Sequence, residues 1–87
     1  MNLTPESCRA GRALLSWSMR DLAQQAGLAL GTVNRLEGGD TETRPATLTR
    51  ITATFAAHGV TLIDNPDQTG AVLAYARRAV DAGPDHG

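Results

Sequence analysis

Four segments of the chain place apolar residues three or four positions apart, the spacing that lines one face of an α-helix. The first begins at Thr4-Pro5-Glu6, where Thr can cap the helix, Pro suits the first helical position and Glu lies at the positive end of the helix dipole. This helix is predicted to end near Ser16. Its predicted buried stripe consists of Cys8, Gly11, Leu14 and Leu15. Arg9 and Arg12 are predicted to lie on the opposite side.

A second helical pattern begins after Ser18, whose hydroxyl can accept from the free amides of the first turn. Asp21 follows three residues later as a weaker version of the capping-box acid. Trp17 and Leu22 have the spacing of a hydrophobic staple, which fixes the direction of entry into the helix. The apolar stripe of this helix is predicted to be Leu22, Ala23 and Ala26.

A sharp turn and a third helical pattern follow directly. Gly27 supplies the left-handed conformation that such a turn needs. A helix from Leu30 to Glu37 would bury Val33 and Leu36 and end at Gly38-Gly39. The residues left facing outward are Thr32, Asn34 and Arg35. The whole stretch predicts a helix-turn-helix and therefore indicates DNA as the partner.

The third helix breaks two local rules at its start. Ala29, in the cap position, has no side-chain acceptor, which costs on the order of 1 kcal/mol relative to Ser or Thr. Gly31 in the first turn costs about 1 kcal/mol more relative to Ala. Either the packing of Val33 and Leu36 tolerates these residues, or the missing side chain at Gly31 lets the backbone approach DNA bases closely. Both explanations stay open at this point.

Arg44-Pro45 opens a fourth helix, which His58-Gly59 closes. Its predicted core positions are Leu48, Ile51 and Phe55, with Ala56 beside them. His58 is predicted to interact with the negative end of the helix dipole and to cap the helix, not to bind a metal.

The pattern after Gly59 fits two structures. A β-hairpin would pair residues 60–64 with residues 71–75, whereas a helix capped by Asn65, with Pro66 in its first position, would run through residues 76–82. We favour the hairpin. The predicted organisation is a helix-turn-helix domain over residues 1–59, a C-terminal appendage over residues 60–82 and a disordered tail over residues 83–87.

Composition limits the alternatives. With 87 residues, of which 41% are apolar, the chain forms one small domain whose core is near the marginal size, so a dimer is a reasonable expectation. The formal net charge is −1, but residues 1–58 hold six Arg against five acids, whereas residues 59–87 hold two Arg against four acids. The acidic excess thus lies outside the predicted DNA-binding part.

No feature of the sequence indicates catalysis. The single cysteine, Cys8, cannot form an internal disulfide, and no Cys/His spacing suits zinc. No paired-carboxylate, nucleophile-base or phosphate-loop arrangement is present. We therefore expect no enzymatic activity, no cofactor and no metal. The lack of a signal peptide or a long apolar run predicts a cytoplasmic protein with no membrane partner.

From Thr4 to about Asp64 the chain resembles the Xre family, the phage repressor and Cro type of helix-turn-helix DNA-binding regulator. The resemblance rests on residues 14–18, 21–23, 26–28, 32–38 and 44–45 in this order and spacing, which read LLSWS, DLA, AGL, TVNRLEG and RP. It implies a mainly α fold, a compact repressor-like domain of four to five helices with a small C-terminal appendage. It also implies a short stand-alone bacterial transcriptional regulator that acts by occupying promoters.

The resemblance makes the helix near residues 30–37 the recognition helix in the major groove. The positions implied to contact DNA are Ser18, Met19, Arg20, Leu30, Gly31, Thr32, Asn34, Arg35 and Arg44. Arg35 is the strongest candidate for a base contact, bidentate to guanine and worth about 1–3 kcal/mol of discrimination. Alternatively, Arg35 is an exposed charge that pairs with Glu37 or another acid. Many family members have Gln at the position of Met19, so one polar contact is missing here.

The resemblance further implies that the C-terminal segment joins two subunits. The positions implied for dimerisation are Val60, Leu62, Ile63, Val72, Leu73 and Tyr75. A homodimer would bind an inverted-repeat operator with half-sites about 10 bp apart or a multiple of that. The alternative function for the same fold is an antitoxin or anti-activator, whose main partner is another protein.

Overall fold

A computed structural model describes residues 3–40 and 42–74. Over these residues the chain forms four helices followed by an antiparallel β-hairpin. The elements in chain order are α1 (Pro5–Leu15), α2 (Met19–Ala26), α3 (Leu30–Glu37), α4 (Pro45–Ala57), β1 (Val60–Asn65) and β2 (Gln68–Leu73). The prediction of a small, mainly α domain with a C-terminal hairpin is confirmed.

The predicted helix starts are present with their side-chain hydrogen bonds. Thr4 Oγ1 accepts from the Ser7 amide at 3.0 Å, and Ser7 Oγ accepts from the Thr4 amide at 2.8 Å. Ser18 and Asp21 make the same reciprocal pair at 3.0 and 2.9 Å. Each capping box satisfies two amides that the helix itself leaves free, so the sequence fixes where α1 and α2 begin.

The core lies between the helices and the inner face of the hairpin. Its buried apolar residues are Leu3, Cys8, Leu22, Ala23, Ala26, Val33, Leu36, Ile51, Phe55 and Val60. The Phe55 ring packs against α1 at Gly11. A Cβ on Gly11 would lie 2.9 Å from two carbons of this ring, so the close packing requires glycine. Trp17 stacks on Phe55 with a centroid distance of 6.2 Å and meets the edge of His58 at 4.8 Å. These rings join the start of α2 to the end of α4.

The predicted faces of α1 are partly wrong. Cys8 and Gly11 are buried as predicted, but Leu14 is 39% exposed. Arg12, predicted to face solvent, has a side chain that is only 18% exposed. The buried face is shifted toward Arg12 because this residue forms an ion pair with the buried Glu37 of α3.

The hairpin is confirmed over β1 and β2, and the alternative helix after Asn65 is wrong. Pairing runs from Val60 with Leu73 to Asn65 with Gln68, so the second strand begins three residues before the predicted position 71. Asn65 Oδ1 accepts from the amides of Asp67 and Gln68 at 3.0 and 2.9 Å. The same side-chain acceptor that would cap a helix here closes a turn. Tyr75, the possible helical extension over residues 76–82 and the tail over residues 83–87 lie outside the described residues.

One face of the hairpin packs on the protein's own helices. Val60, Leu62, Ala71 and Leu73 lie in the core or pack against it. Val60 is predicted to lie between subunits, but it is only 2% exposed. Its side chain is therefore buried within its own chain and cannot contact a second one. Thr61 and Ile63 pair with Val72 and Gly70 on the opposite face, where Val72 is 50% exposed.

Candidate nucleic-acid interface

The turn between α2 and α3 forms as predicted. Gly27 adopts a left-handed conformation with φ of 69°. Its amide donates to Gln24 O at 3.3 Å, and the amide of Leu28 donates to Ala23 O at 2.8 Å. These bonds satisfy carbonyls at the end of α2, and the sharp reversal directs the chain into α3.

Helix α3 has one buried side and one exposed side. Val33 is fully buried and Leu36 is 4% exposed, which fixes the rotation of the helix about its axis. The exposed side carries Leu30, Gly31, Asn34 and Arg35. Four of the five candidate base-reading positions thus share one surface, and the fifth, Thr32, is half-buried at its border.

A polar hollow of about 330 Å³ lies between α3, the loop after it and the start of α4. It is lined by Thr32, Arg35, Asp40, Glu42, Thr43, Arg44 and Thr47. Arg44, which precedes α4 and makes no side-chain cap there, is therefore brought next to the exposed side of α3. Two arginines and two acids share this hollow, so its formal charges cancel.

The three positions at the start of α2 that the resemblance implies for DNA contact differ in exposure. Ser18 and Arg20 are exposed, but Met19 is half-buried and packs against the core. The Ser18 amide already donates to Asp21 Oδ2 at 2.9 Å. Arg20 is thus the free cation among these three positions.

Sequence reasoning missed the buried carboxylate of Glu37, at the end of α3. Arg12 binds it in bidentate fashion, from Nε to Oε2 and from Nη2 to Oε1, both at 2.7 Å. Cys8 Sγ also donates to Oε2 at 3.2 Å. The side chain of Glu37 is 6% exposed, so these bonds compensate the cost of removing a carboxylate from water.

Two further bonds extend this cluster to the ends of the helix-turn-helix. Arg9 Nη1 donates to Glu37 O at 2.8 Å, and Arg12 Nη1 donates to Trp17 O at 3.0 Å. Arg12 therefore holds the end of α3 and the residue before the α2 cap at once. The partners are 25 residues apart, so no local spacing in the sequence reveals them.

In this cluster the pKa values of both Arg12 and Cys8 are raised. The hydrogen bond to Glu37, followed by the charge of that residue, raises the pKa of Arg12 above its usual value. Burial, followed by the hydrogen bond to Glu37, raises the pKa of the Cys8 thiol well above its usual value. Cys8 therefore remains a protonated donor and not a reactive thiolate.

The described part of the chain shows neither a metal centre nor a membrane span. Over residues 3–40 and 42–74, no three His, Cys, Asp or Glu side chains are grouped so that they could hold a metal ion. Among the same residues, no helix has the length and apolar character needed to cross a membrane.

Comparisons with models of protein families and with curated protein sequences gave no match.

Proposed function

We propose that the protein is a sequence-specific DNA-binding transcriptional regulator of the Xre type, with α3 as its recognition helix. The observation that supports this most directly is the exposed side of α3, which carries Asn34 and Arg35 beside two small or apolar positions. Helix α3 follows a capped helix and a left-handed glycine turn, the arrangement in which a second helix enters the major groove.

Each exposed position of α3 has a chemical role in this proposal. Arg35, whose side chain is 67% exposed, donates to guanine O6 and N7, and Asn34 pairs with adenine or donates to a phosphate. Leu30 and Thr32 contact thymine methyl groups. Gly31 lets the backbone approach the bases, and packing among the described residues does not require this glycine. Within residues 3–40 and 42–74, a Cβ there would meet only Arg35 Nη1, at an ordinary distance of 3.6 Å.

Phosphate contacts in this proposal come from Ser18, Arg20 and Arg44, all of which are exposed. Two cations of this kind per subunit neutralise few phosphates. We therefore expect the slope of log K against log salt concentration to have a magnitude of roughly 4 for a dimer, far below that of highly basic DNA-binding proteins. Base contacts and dimer formation supply most of the specific affinity.

The proposed operator is an inverted repeat bound by a homodimer. The outer face of the hairpin supports a role in association, because Val72 is 50% exposed there and Ile63 lies on the same face. A two-fold dimer presents one recognition helix to each of two successive major grooves. This same face supports the second candidate function, an antitoxin or anti-activator that binds a different protein. A stoichiometric partner that co-purifies with the chain and blocks its DNA binding would favour that alternative.

Selection of bound sites from random DNA tests the proposal. The wild-type protein should enrich an inverted repeat that contains guanine, and Arg35→Ala should lose the preference at that guanine, which corresponds to about 1–3 kcal/mol. Arg50→Ala is the control, since Arg50 is an exposed arginine on α4 outside the exposed side of α3. Its Nη1 donates to Gly27 O at 3.4 Å, so thermal melting of this variant checks that the turn stays folded. If no motif emerges, or if Arg35→Ala selects the wild-type motif, α3 is not the recognition helix.

A further inference from the structure

Arg35 has an acidic neighbour on the surface of α3. Its Nε lies 3.9 Å from Asp40 Oδ2. The Asp40 amide also donates to Arg35 O at 3.0 Å, across the glycines that end the helix. The backbone contact keeps Asp40 beside the arginine side chain. The sequence left open whether Arg35 contacts a base or pairs with an acid. In the structure the neighbouring acid is Asp40 and not Glu37.

The carboxylate of Asp40 is itself held in place. Asp40 Oδ1 accepts from the Glu42 amide at 2.8 Å, and Thr43 Oγ1 donates to Asp40 O at 3.3 Å. One carboxylate oxygen is thus fixed by the loop while the other faces Arg35. The side chain of Asp40 is 35% exposed, so the pair is accessible to solvent and to a docked macromolecule.

We propose that Asp40 is a positioning residue that determines DNA specificity through Arg35. At 3.9 Å the Asp40 carboxylate attracts the Nε edge of the guanidinium without a hydrogen bond, and it leaves Nη1 and Nη2 for the two acceptors of guanine. This attraction favours Arg35 conformations in which Nε faces the loop and the other two nitrogens reach a base edge, over those that reach a phosphate. The inference rests on the proposed function, because it assumes that α3 lies in the major groove.

The charge of Asp40 has a second effect. A carboxylate at the edge of the docking surface repels phosphates in every DNA sequence, so it weakens binding to the operator and to other DNA alike. The preference for the operator then depends on the guanine contact of Arg35 and not on this repulsion. The balanced charges in the hollow around Arg35 and Arg44 fit a surface on which base contacts outweigh phosphate attraction.

The test compares binding of wild-type protein, Asp40→Asn and Asp67→Asn to the selected operator and to a scrambled duplex. Asparagine keeps the Oδ1 acceptor for the Glu42 amide, so the loop should stay folded, which thermal melting checks. Asp67 is an exposed aspartate in the hairpin turn and provides the same change of charge away from α3. Asp40→Asn should lower the ratio of operator to scrambled affinity by about three- to tenfold, with tighter binding to the scrambled duplex. Asp67→Asn should leave the ratio unchanged.

A double variant separates positioning from simple repulsion. In the Arg35→Ala background, Asp40→Asn should no longer change the preference at the guanine position. If the ratio does not fall in Asp40→Asn, or falls equally without Arg35, the inference is overturned while DNA binding stands. If the wild-type protein prefers no DNA sequence, the proposed function fails and the inference fails with it.

Discussion

At the scale of single residues, Glu37 is held by hydrogen bonds from three side chains of α1. Its carboxylate accepts from both Arg12 and Cys8, and its backbone carbonyl accepts from Arg9. A charge that is nearly removed from water is tolerated only when such donors surround it. Glu37 therefore fixes the end of α3 against α1, while the Arg35 side chain is exposed on the other side of the helix.

Glu37→Gln should destabilise the protein by about 3 kcal/mol, because it removes the charge that compensates the partly buried Arg12. Urea denaturation measures this change in the free energy of unfolding. Glu42→Gln is the control, since Glu42 is exposed and its substitution should stay within about 0.5 kcal/mol of wild type. Equal stability of the two variants would show that the ion pair with Arg12 does not hold α3.

At the scale of elements, α3 is a weak helix held by its surroundings. Its cap residue, Ala29, makes no side-chain hydrogen bond, and Gly31 lies in its first turn. Val33 and Leu36 hold it against the core, and Glu37 holds it against α1. Tertiary contacts thus compensate for poor local propensity, as they commonly do in short helices.

The same substitution at two helical glycines should have opposite effects on stability. Gly31→Ala should stabilise the fold by up to about 1 kcal/mol through helix propensity, because the new Cβ meets only the end of Arg35. Gly11→Ala should instead destabilise it by about 1–3 kcal/mol, because its Cβ would press on the fully buried Phe55 ring. Thermal and urea unfolding measure both changes.

DNA binding shows whether Gly31 has a functional role beyond its effect on stability. Gly31→Ala should weaken binding to the selected site by about 1–3 kcal/mol, as expected when a methyl group enters a close contact. A Gly31→Ala protein that is more stable and binds DNA as tightly as wild type would show that Gly31 is merely tolerated. A Gly11→Ala protein as stable as wild type would show that the Phe55 ring moves freely.

At the scale of the whole molecule, the helices and the hairpin share one core. Val60 is buried among helical residues, and Thr4 Oγ1 lies 2.8 Å from Thr69 Oγ1, which links the start of α1 to β2. Because the inner face of the hairpin is used within the chain, only its outer face can serve association. The proposed dimer therefore depends on Ile63 and Val72 among the described positions.

Val72→Asp should convert the proposed dimer into a monomer with little change in the stability of the fold, because Val72 is half-exposed. Sedimentation equilibrium and affinity for the selected operator should both show the loss. Leu14→Asp is the matched control, since Leu14 is an exposed leucine on α1 that is 39% accessible. A wild-type protein that is monomeric at every concentration, or equal behaviour of the two variants, would contradict association through this face.

The sequence by itself determined the local order of the fold. Side-chain caps at Thr4 and Ser18, the left-handed Gly27 and apolar spacing in α2 and α3 all act within a few residues, so they can be recognised without the fold. They placed α2, the turn and α3 correctly, and of the three residues of α3 predicted to face outward, Asn34 and Arg35 are exposed while Thr32 is half-buried. They could not decide between a strand and a helix after Asn65, because its side chain can cap either a turn or a helix.

Only the tertiary structure decided which polar residues are buried and which are paired. The bond between Arg12 and Glu37 joins residues 25 positions apart, and it reversed the predicted orientation of Arg12 on α1. Folding likewise placed Val60 in the core, among residues of the helices. The physical reason is common to these cases. The free energy of a charged or apolar side chain depends on what surrounds it in space, and residues distant in sequence supply those surroundings.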